Sequence, residues 1–421
     1  MTKTVVVIGA GLAGLQVAQQ LSDLGMKVHL VEREATVGGL STHLGKVFPT
    51  DDCALCLDVC EELYDGKHRR CQYRSLLGLQ KGLTLHTLTD VKSFKSKGGK
   101  FSVSLRTAPR FISADRCVVC LECINVCDVE VPDERNLGKC QRKAIFRPIP
   151  QGVPLIPVID IESCTRCGKC VEVCGVNAIN LEQKAKSRTV NADAVVIATG
   201  VEERIPISLP GYAYGKCEDV LTQRELARIL DSTGPTNGSV LTSSGHPVAS
   251  VTMVLCAGSR DLNAVDYCSQ ACCTYSLKHA AMLRGLGINV TICYMDIRIP
   301  PHSQHYLDSA IELGVSFVRG KPDHIIVRNE TPVTIVEDTE SMKRVELESD
   351  LVVLASPLVP LASEKEEFTA FLDEYGFITH QGPKKGIYAC GTSTGPTDIP
   401  ASVTEANSVA LQVYMDLEGG A

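Results

Sequence analysis

Twenty of the 421 residues are cysteine, and sixteen of those fall into short, closely spaced groups. Cys117, Cys120, Cys123 and Cys127 read C-x2-C-x2-C-x3-C, and Cys164, Cys167, Cys170 and Cys174 repeat the pattern. Three thiolates from one such loop converge on a single iron–sulfur cubane, and the fourth crosses to the cubane of the other loop. The expected ligand sets are therefore Cys117, Cys120, Cys123 and Cys174 on one cluster, and Cys164, Cys167, Cys170 and Cys127 on the other. Zinc or disulfides fit this spacing poorly. Asp128 and Gly175 stand where proline usually follows the fourth cysteine. Cys140 lies outside the pattern and reads as a plain thiol.

Two further groups carry less specific spacing. Cys256, Cys268, Cys272 and Cys273 surround the start of an expected helix, where the helix N-terminus lowers a thiol pKa. Tandem cysteines are poor packing choices there, so a further cluster and a redox-active dithiol are the two readings. Cys53, Cys56, Cys60 and Cys71 are compact enough for one tetrathiolate site. They are equally readable as buried thiols on a short helix.

A different chemistry begins at the N-terminus. Val5 to Ile8 is a buried strand, and Gly9, Gly11 and Gly14 follow in G-x-G-x-x-G spacing. A helical period runs to Gly25, and a second apolar run, Val28 to Val31, ends at Glu32. This strand–turn–helix–strand unit places a dinucleotide pyrophosphate at the helix N-terminus and a ribose on Glu32. The following Gly38-Gly39 pair resembles the FAD form of the motif. The strand ending in Ala198-Thr199-Gly200 reads as its return strand, where small residues let backbone pass the cofactor. Gly391, in the turn between a last strand and a last helix, closes the same candidate FAD site.

These residues need elements to hold them. The alternation over 83–106 reads as strands with a turn at 95–100. Residues 110–182 read as an insertion, and 190–200 resume the first fold. Val248 to Leu255, Tyr275 to Leu286 and Ile288 to Tyr294 read as strand, helix and strand of a second α/β unit. Its first turn, Cys256 to Asp261, keeps only Gly258, so it does not read as a nicotinamide site. His302 and His305 have metal-like spacing but no evident partner, and read as loop residues. The expected division has an FAD domain in three segments, 1–109 (with the cysteine loop 53–71), 183–216 and 351–421. Between them lie a ferredoxin-like insertion, 110–182, and the second α/β unit, 217–350.

Composition bounds the function. The formal net charge of −7 and the lack of a long basic run argue against nucleic acid. No apolar run reaches the ~18 residues of a membrane span, which leaves a cytoplasmic location as the expectation. The length accommodates two or three domains.

Together GAGLAG, KVFPTDDCALC, the doubled cysteine run, RKAI at 142–145, CAGSRD with YCSQACC, and GPTDIP resemble the A subunit of heterodisulfide reductase and its relatives. The resemblance implies an α/β two-dinucleotide-domain flavoprotein of the thioredoxin/glutathione reductase type, with an inserted α+β two-cluster ferredoxin-like domain. It implies a [4Fe–4S] cluster on Cys256, Cys268, Cys272 and Cys273 beside the flavin, and places Lys278 near the flavin N5. Cofactor content is then one FAD and three [4Fe–4S] clusters, or four if Cys53, Cys56, Cys60 and Cys71 also bind one. The implied role is electron transfer, in some relatives electron bifurcation. The implied partners are heterodisulfide reductase B/C-like, hydrogenase- or dehydrogenase-like, quinone-interacting, or benzoyl-CoA reductase-like subunits. The competing function is a stand-alone NAD(P)H-dependent iron–sulfur flavin oxidoreductase.

Overall fold

The computed structural model describes residues 2–44, 46–47, 52–53, 82–150, 152–205, 209, 211–364, 366–379 and 386–418. Cys56, Cys60 and Cys71 lie outside these residues, and of Cys53 only the backbone is described, in a short strand paired with Lys46.

The first unit is built on a five-stranded parallel sheet. Its order is Ile387–Ala389, Ala194–Ile197, Thr4–Ile8, Lys27–Val31, Leu83–His86. Residues Val5 to Val7 and Ala194 to Ile197 are wholly buried, as expected of strands covered on both faces. Helix Leu12–Asp23 packs one face with Leu15, Val17, Ala18 and Leu21. The last helix, Ile399–Glu418, lays Ala406, Ala410 and Val413 into the same core. Small residues there let the two helices approach closely.

An antiparallel sheet explains how an insertion fits without breaking this unit. Strand Lys100–Thr107 pairs on one side with Thr89–Lys97 and on the other with Lys186–Ala192. Thr107 lies opposite Lys186, so the chain leaves and re-enters at neighbouring positions. Residues between them form a separate core around Phe111, Ile112, Ile145, Ile156, Ile159 and Ile179, closed by an Ile112–Ile179 bridge.

The second unit has its own parallel sheet, in the order Val220–Thr222, Leu351–Leu354, Ser250–Val254, Asn289–Tyr294, Ser316–Arg319. The wholly buried strand Leu351–Leu354 is internal to it. The boundary expected after residue 350 therefore falls too early, because this strand completes the second sheet rather than returning to the first. Antiparallel strands Val201–Glu203 and Leu358–Pro360 carry the chain between the units. A three-stranded meander, His324–Arg328, Thr331–Asp338 and Lys343–Glu348, has no counterpart among the strands expected from the sequence pattern. The helix expected from Tyr275 begins earlier, at Cys272. His302 and His305 are not loop residues. His302 sits in a 3-10 turn with its Nε2 3.0 Å from Asp398 Oδ2, a partner 96 residues away. His305 lies in helix Gln304–Glu312, its ring against Tyr306.

Candidate functional site

The glycine turn is shaped by what surrounds it. Gly9 adopts φ +98°, and a Cβ there would lie 2.3 Å from the Ala198 carbonyl oxygen. A Cβ on Gly14 would lie 1.9 Å from the Gly9 carbonyl oxygen. Gly11, by contrast, faces open space, with nothing within 4 Å of the Cβ it lacks. The turn is thus packed on two sides and open on the third, at the N-terminus of helix Leu12–Asp23.

That open side belongs to a cavity of about 850 Å³, a size suited to a cofactor. Gly9, Gly11, Glu32, Gly38, Gly39, Thr199 and Gly200 all line it. Gly14 and Gly391 do not. Gly391, at φ +70°, donates its N–H to Glu405 Oε2 at 2.8 Å, and a Cβ there would meet Ala13 Cβ at 2.5 Å. Its neighbours Cys390 and Thr392 reach the cavity wall.

Glu32 closes the second strand with its carboxylate buried. Its Oε2 accepts from Ala10 N–H at 2.8 Å and its Oε1 from Glu34 N–H at 2.9 Å. Burial raises its pKa, and these two N–H groups pull it back. Each oxygen keeps a lone pair for a ligand hydroxyl. The Thr199 hydroxyl is buried without a hydrogen-bond partner. A buried polar atom left unsatisfied costs ~1–3 kcal/mol, so this one is consistent with a ligand that completes it.

The far wall is helix Cys272–Gly285. Ala271, Tyr275, Lys278 and His279 line the cavity at i, i+4, i+7 and i+8, one face of a helix. Lys278 is 3% exposed, which removes the reading of it as a solvated helix lysine. His279 is buried beside it, with Nδ1 2.6 Å from Gln223 Oε1. Burial, then Lys278, drives the His279 pKa well below its ordinary value. The inserted domain supplies further wall: Asp133, Glu134, Arg135, Arg142, Phe146 and Asp160. Arg142 stacks 3.8 Å from the Phe146 ring centroid and pairs with Glu134 and Asp160. Where the three bodies meet, Arg224 Nη2 lies 3.1 Å from His43 Nδ1, and Arg135 donates to the Thr42 carbonyl. Burial and the nearby Arg224, Arg135 and Arg228 hold His43 down to about 3, hence neutral.

At the N-terminal end of the same helix, Cys256, Cys268, Cys272 and Cys273 come together. Cys256 interacts with Cys268, Cys272 with Cys273 and Cys256, and Cys273 with Cys256 and Cys268. Two of the sulfurs accept backbone donors. Gln270 N–H reaches Cys268 Sγ at 3.4 Å, and Arg298 N–H reaches Cys273 Sγ at 3.4 Å. Arg260, ion-paired to Asp296, addresses Cys256. The Cys272 thiol is directed instead at the Ser356 carbonyl oxygen, 4.0 Å away. Cys256 takes φ +57°, uncommon for a residue with a Cβ.

The expected lowering of these thiol pKa values by the helix N-terminus does not hold for the bare thiols. Burial pushes Cys272 up to about 12 and Cys273 up to about 11. Desolvation outweighs the helix end, and coordination to a metal would be needed to deprotonate them at neutral pH.

The inserted loops share one design. In both, the second and fourth residues after the first cysteine are left-handed: Val119 and Leu121, then Arg166 and Gly168. This turns Arg166 N–H to within 3.4 Å of Cys164 Sγ. Cys268 and left-handed Gln270 repeat that local shape. Within the insertion, Cys123 interacts with Cys117, Cys120 and Cys170, and Cys170 with Cys164, Cys167 and Cys127. Cys127 thus lies with the second triplet. Among the described residues, no group of three His, Cys, Asp or Glu side chains is arranged for a single metal ion; a cubane spreads its ligands over four irons. Cys140 bonds Asp133 and Asn136 within its own loop.

Tyr275, His279, Gln223 and Arg224 join the wall without having stood out in the sequence. The helical stripe from Ala271 to His279 is a usable signal for the first two. Arg142 opens the RKAI stretch, a signal only through the family resemblance, and Arg135 carries none, since tertiary folding alone brings it to this wall.

These features have counterparts in known proteins. The family described as pyridine nucleotide-disulphide oxidoreductase matches residues 4–48, and the 4Fe-4S binding domain family matches residues 157–180. The chain is 35% identical to the iron-sulfur A subunit of CoB–CoM heterodisulfide reductase from Methanocaldococcus jannaschii, over 99% of this chain and 65% of that one. It is 33% identical to the A subunit of H(2):CoB-CoM heterodisulfide,ferredoxin reductase from Methanothermobacter thermautotrophicus, over 98% and 64%. Against the A subunit of ferredoxin:CoB-CoM heterodisulfide reductase from Methanosarcina acetivorans the figures are 34%, 96% and 56%. The chain therefore spans somewhat less than two thirds of these relatives. In fold it is similar to thioredoxin reductases from Lactococcus lactis (15% identity, TM-score 0.52, 99% of both chains) and T. acidophilum (16%, 0.52, 99% of both).

Proposed function

The chain belongs to the family of heterodisulfide reductase A-like iron–sulfur flavoproteins, and we propose that within it the protein relays electrons between partner subunits through FAD and [4Fe–4S] clusters. The observation that carries this reading is the helix Cys272–Gly285. One rigid element holds two thiols of a four-cysteine group at its start and a wall of the dinucleotide cavity along its side. When bound, FAD exchanges electrons singly or in pairs and a cluster exchanges one, so their combination divides electron pairs.

The residues have distinct tasks in this proposal. Gly11 and the start of helix Leu12–Asp23 receive the pyrophosphate, and Glu32 holds the ribose. Thr199 and Gly200 pass beneath the cofactor, and Gly38, Gly39 and Gly391 shape its surroundings. Lys278 supplies a cation at the flavin, where attraction to developing negative charge is stronger than in water. Cys256, Cys268, Cys272 and Cys273 hold one cluster. Cys117, Cys120, Cys123 and Cys174, and Cys164, Cys167, Cys170 and Cys127, hold two more in an insertion that itself walls the cavity. Cys53, Cys56, Cys60 and Cys71 are candidate ligands of a fourth.

Partner subunits enter the proposal because several carriers are expected. The names of the relatives mention heterodisulfide together with hydrogen or ferredoxin, which supports partners of the heterodisulfide reductase B/C or hydrogenase kind and a bifurcating role. No helix of the described residues is long and apolar enough to cross a membrane.

Two measurements test the proposal. Anaerobic native mass spectrometry of protein from its own source should find the chain with other redox subunits; a monomer that turns over NAD(P)H at full rate contradicts it. Lys278→Ala should keep FAD and iron while lowering the flavin midpoint potential and slowing reduction of the adjacent cluster. An unchanged flavin potential removes Lys278 from the mechanism.

A further inference from the structure

A second cavity, of about 580 Å³, lies beside the dinucleotide cavity. Arg204, Ile205, Asp266 and Tyr375 on its rim are exposed, so it is open to water. Deeper in, it is lined by the buried Thr222 and by Glu202, Glu203 and Arg224, and the last three line the dinucleotide cavity as well. These three side chains therefore stand between an outer, wet space and the inner one. Strand Val201–Glu203 and helix Gln223–Ile229 carry them. Glu203 stands opposite Leu358 on the paired connecting strand, and Leu358 also faces the dinucleotide cavity. Thr222 Oγ1 donates to Glu203 Oε2 at 2.8 Å and accepts from Glu225 N–H at 3.2 Å. The carboxyl is thus fixed by a hydroxyl that is itself fixed.

We propose that Glu203 is a proton-transfer residue, whose carboxyl passes protons from the water of the outer cavity into the dinucleotide cavity when the cofactor there is reduced. This rests on the reading of that cavity as an FAD site. An electron pair taken up by bound FAD brings a proton with it, and inside the protein that proton needs a carrier. The electrons come from the clusters. The proton leaves the Glu203 O–H for the inner cavity, and the carboxylate regains one from water in the outer cavity, so the residue ends as it began. Of the three shared side chains, Arg224 keeps its protons throughout. Burial raises the Glu203 carboxyl to about 7, with Glu225 pushing the same way and Thr222 and Arg224 opposing. An acid poised near the working pH is an effective donor. Tyr214 and Tyr275 also face Glu203, and burial raises both, so they stay neutral phenols. His43, held down to about 3, and His279, held well below its ordinary value, are neutral and offer no acidic proton.

The test uses the whole flavin-loaded chain under anaerobic conditions, with flavin counted in each sample and two readouts. The first is the infrared band of a protonated carboxyl, followed from about pH 5 to about pH 9. The wild type should lose a band with a midpoint at about 7 that Glu203→Gln lacks. The second is the rate at which the flavin absorbance bleaches on mixing with dithionite, over the same range. In the wild type that rate should fall as pH rises through the infrared midpoint, because the acid form is the donor. Below the midpoint Glu203→Gln should bleach ~100-fold more slowly, and without the break. Imidazole, small enough to enter from the outer cavity, should restore the rate of Glu203→Ala; a loss it does not restore marks a structural role and overturns the inference. If Glu203→Gln holds no flavin, Glu203→Asp decides. Its break should move with its own infrared midpoint, and a break that stays at the wild-type pH overturns the inference. Equal rates and breaks in wild type and Glu203→Gln, or loss of the break in Glu202→Gln instead, overturn it while the FAD reading stands. Wild-type protein without flavin overturns that reading, and the inference with it.

Discussion

Among single residues, two positions make strong statements about contacts that backbone and burial impose. Gly14→Ala would set a methyl group 1.9 Å from the Gly9 carbonyl oxygen, so helix and turn must separate. Overpacking of this kind costs ~1–3 kcal/mol. A lowered melting temperature and substoichiometric flavin in purified protein are expected; full flavin occupancy with unchanged melting would show that the turn is looser than described. Glu203 is the second position. It is half-buried, lining both the dinucleotide cavity and a neighbouring pocket, and burial raises its pKa from 4.5 to about 7 against the opposing pull of Thr222 and Arg224. The folded protein then holds a proton that the unfolded chain releases, so stability falls as pH rises from 4.5 through about 7. Glu203→Gln should flatten that stretch of a stability–pH curve measured by chemical denaturation; an identical slope in both proteins would mean the carboxyl is ionised throughout. Much about individual residues is legible in the sequence. G-x-G-x-x-G and the doubled cysteine run are local patterns whose geometry follows from spacing. Glu203 and Arg135 are not legible, because their environment is made by segments distant in sequence.

Among the secondary-structure elements, helix Gln223–Ile229 is held by a full capping box. Thr222 Oγ1 accepts from Glu225 N–H at 3.2 Å, and Glu225 Oε2 accepts from Thr222 N–H at 2.7 Å. This short helix carries Gln223 and Arg224 into the cavity wall and the wholly buried Arg228 onto Asn136 of the insertion. Thr222→Ala should cost ~1 kcal/mol through the lost cap, and more because the Thr222 hydroxyl also donates to Glu203 at 2.8 Å. Denaturant titration checks the sum; no loss of stability would mean the helix is held by packing alone. The inner strands of both parallel sheets are readable as apolar runs because both of their faces are covered, whereas the edge strands Val220–Thr222 and Ser316–Arg319 do not stand out. The meander from His324 to Glu348 goes unread, although Lys343–Glu348 alternates Val345 and Leu347 with charged residues. The start of the cysteine helix is also hidden, because cysteines read as ligands conceal their place in a helical period. Strand Leu351–Leu354 is legible as a strand but not as a partner of Ser250–Val254, since order within a parallel sheet depends on crossovers that spacing does not record.

Across the whole molecule, three bodies meet at one cavity: a dinucleotide unit, an insertion bearing two cysteine loops, and a second unit with cysteines at its first turn and at the start of the following helix. The half-buried contact of Arg224 with His43 and the buried one of Arg228 with Asn136 tie all three together. The proposed electron-relay function depends above all on a cluster held beside the flavin by the cysteine group of the second unit. Iron and flavin per chain after anaerobic purification, for the wild type and for Cys272→Ser, decide whether it is there. One FAD with about 12 iron atoms is expected, or about 16 if the group from Cys53 to Cys71 also binds a cluster, with a loss of about four in the variant. About 8 iron atoms in the wild type, or an iron count unchanged by Cys272→Ser, would contradict it.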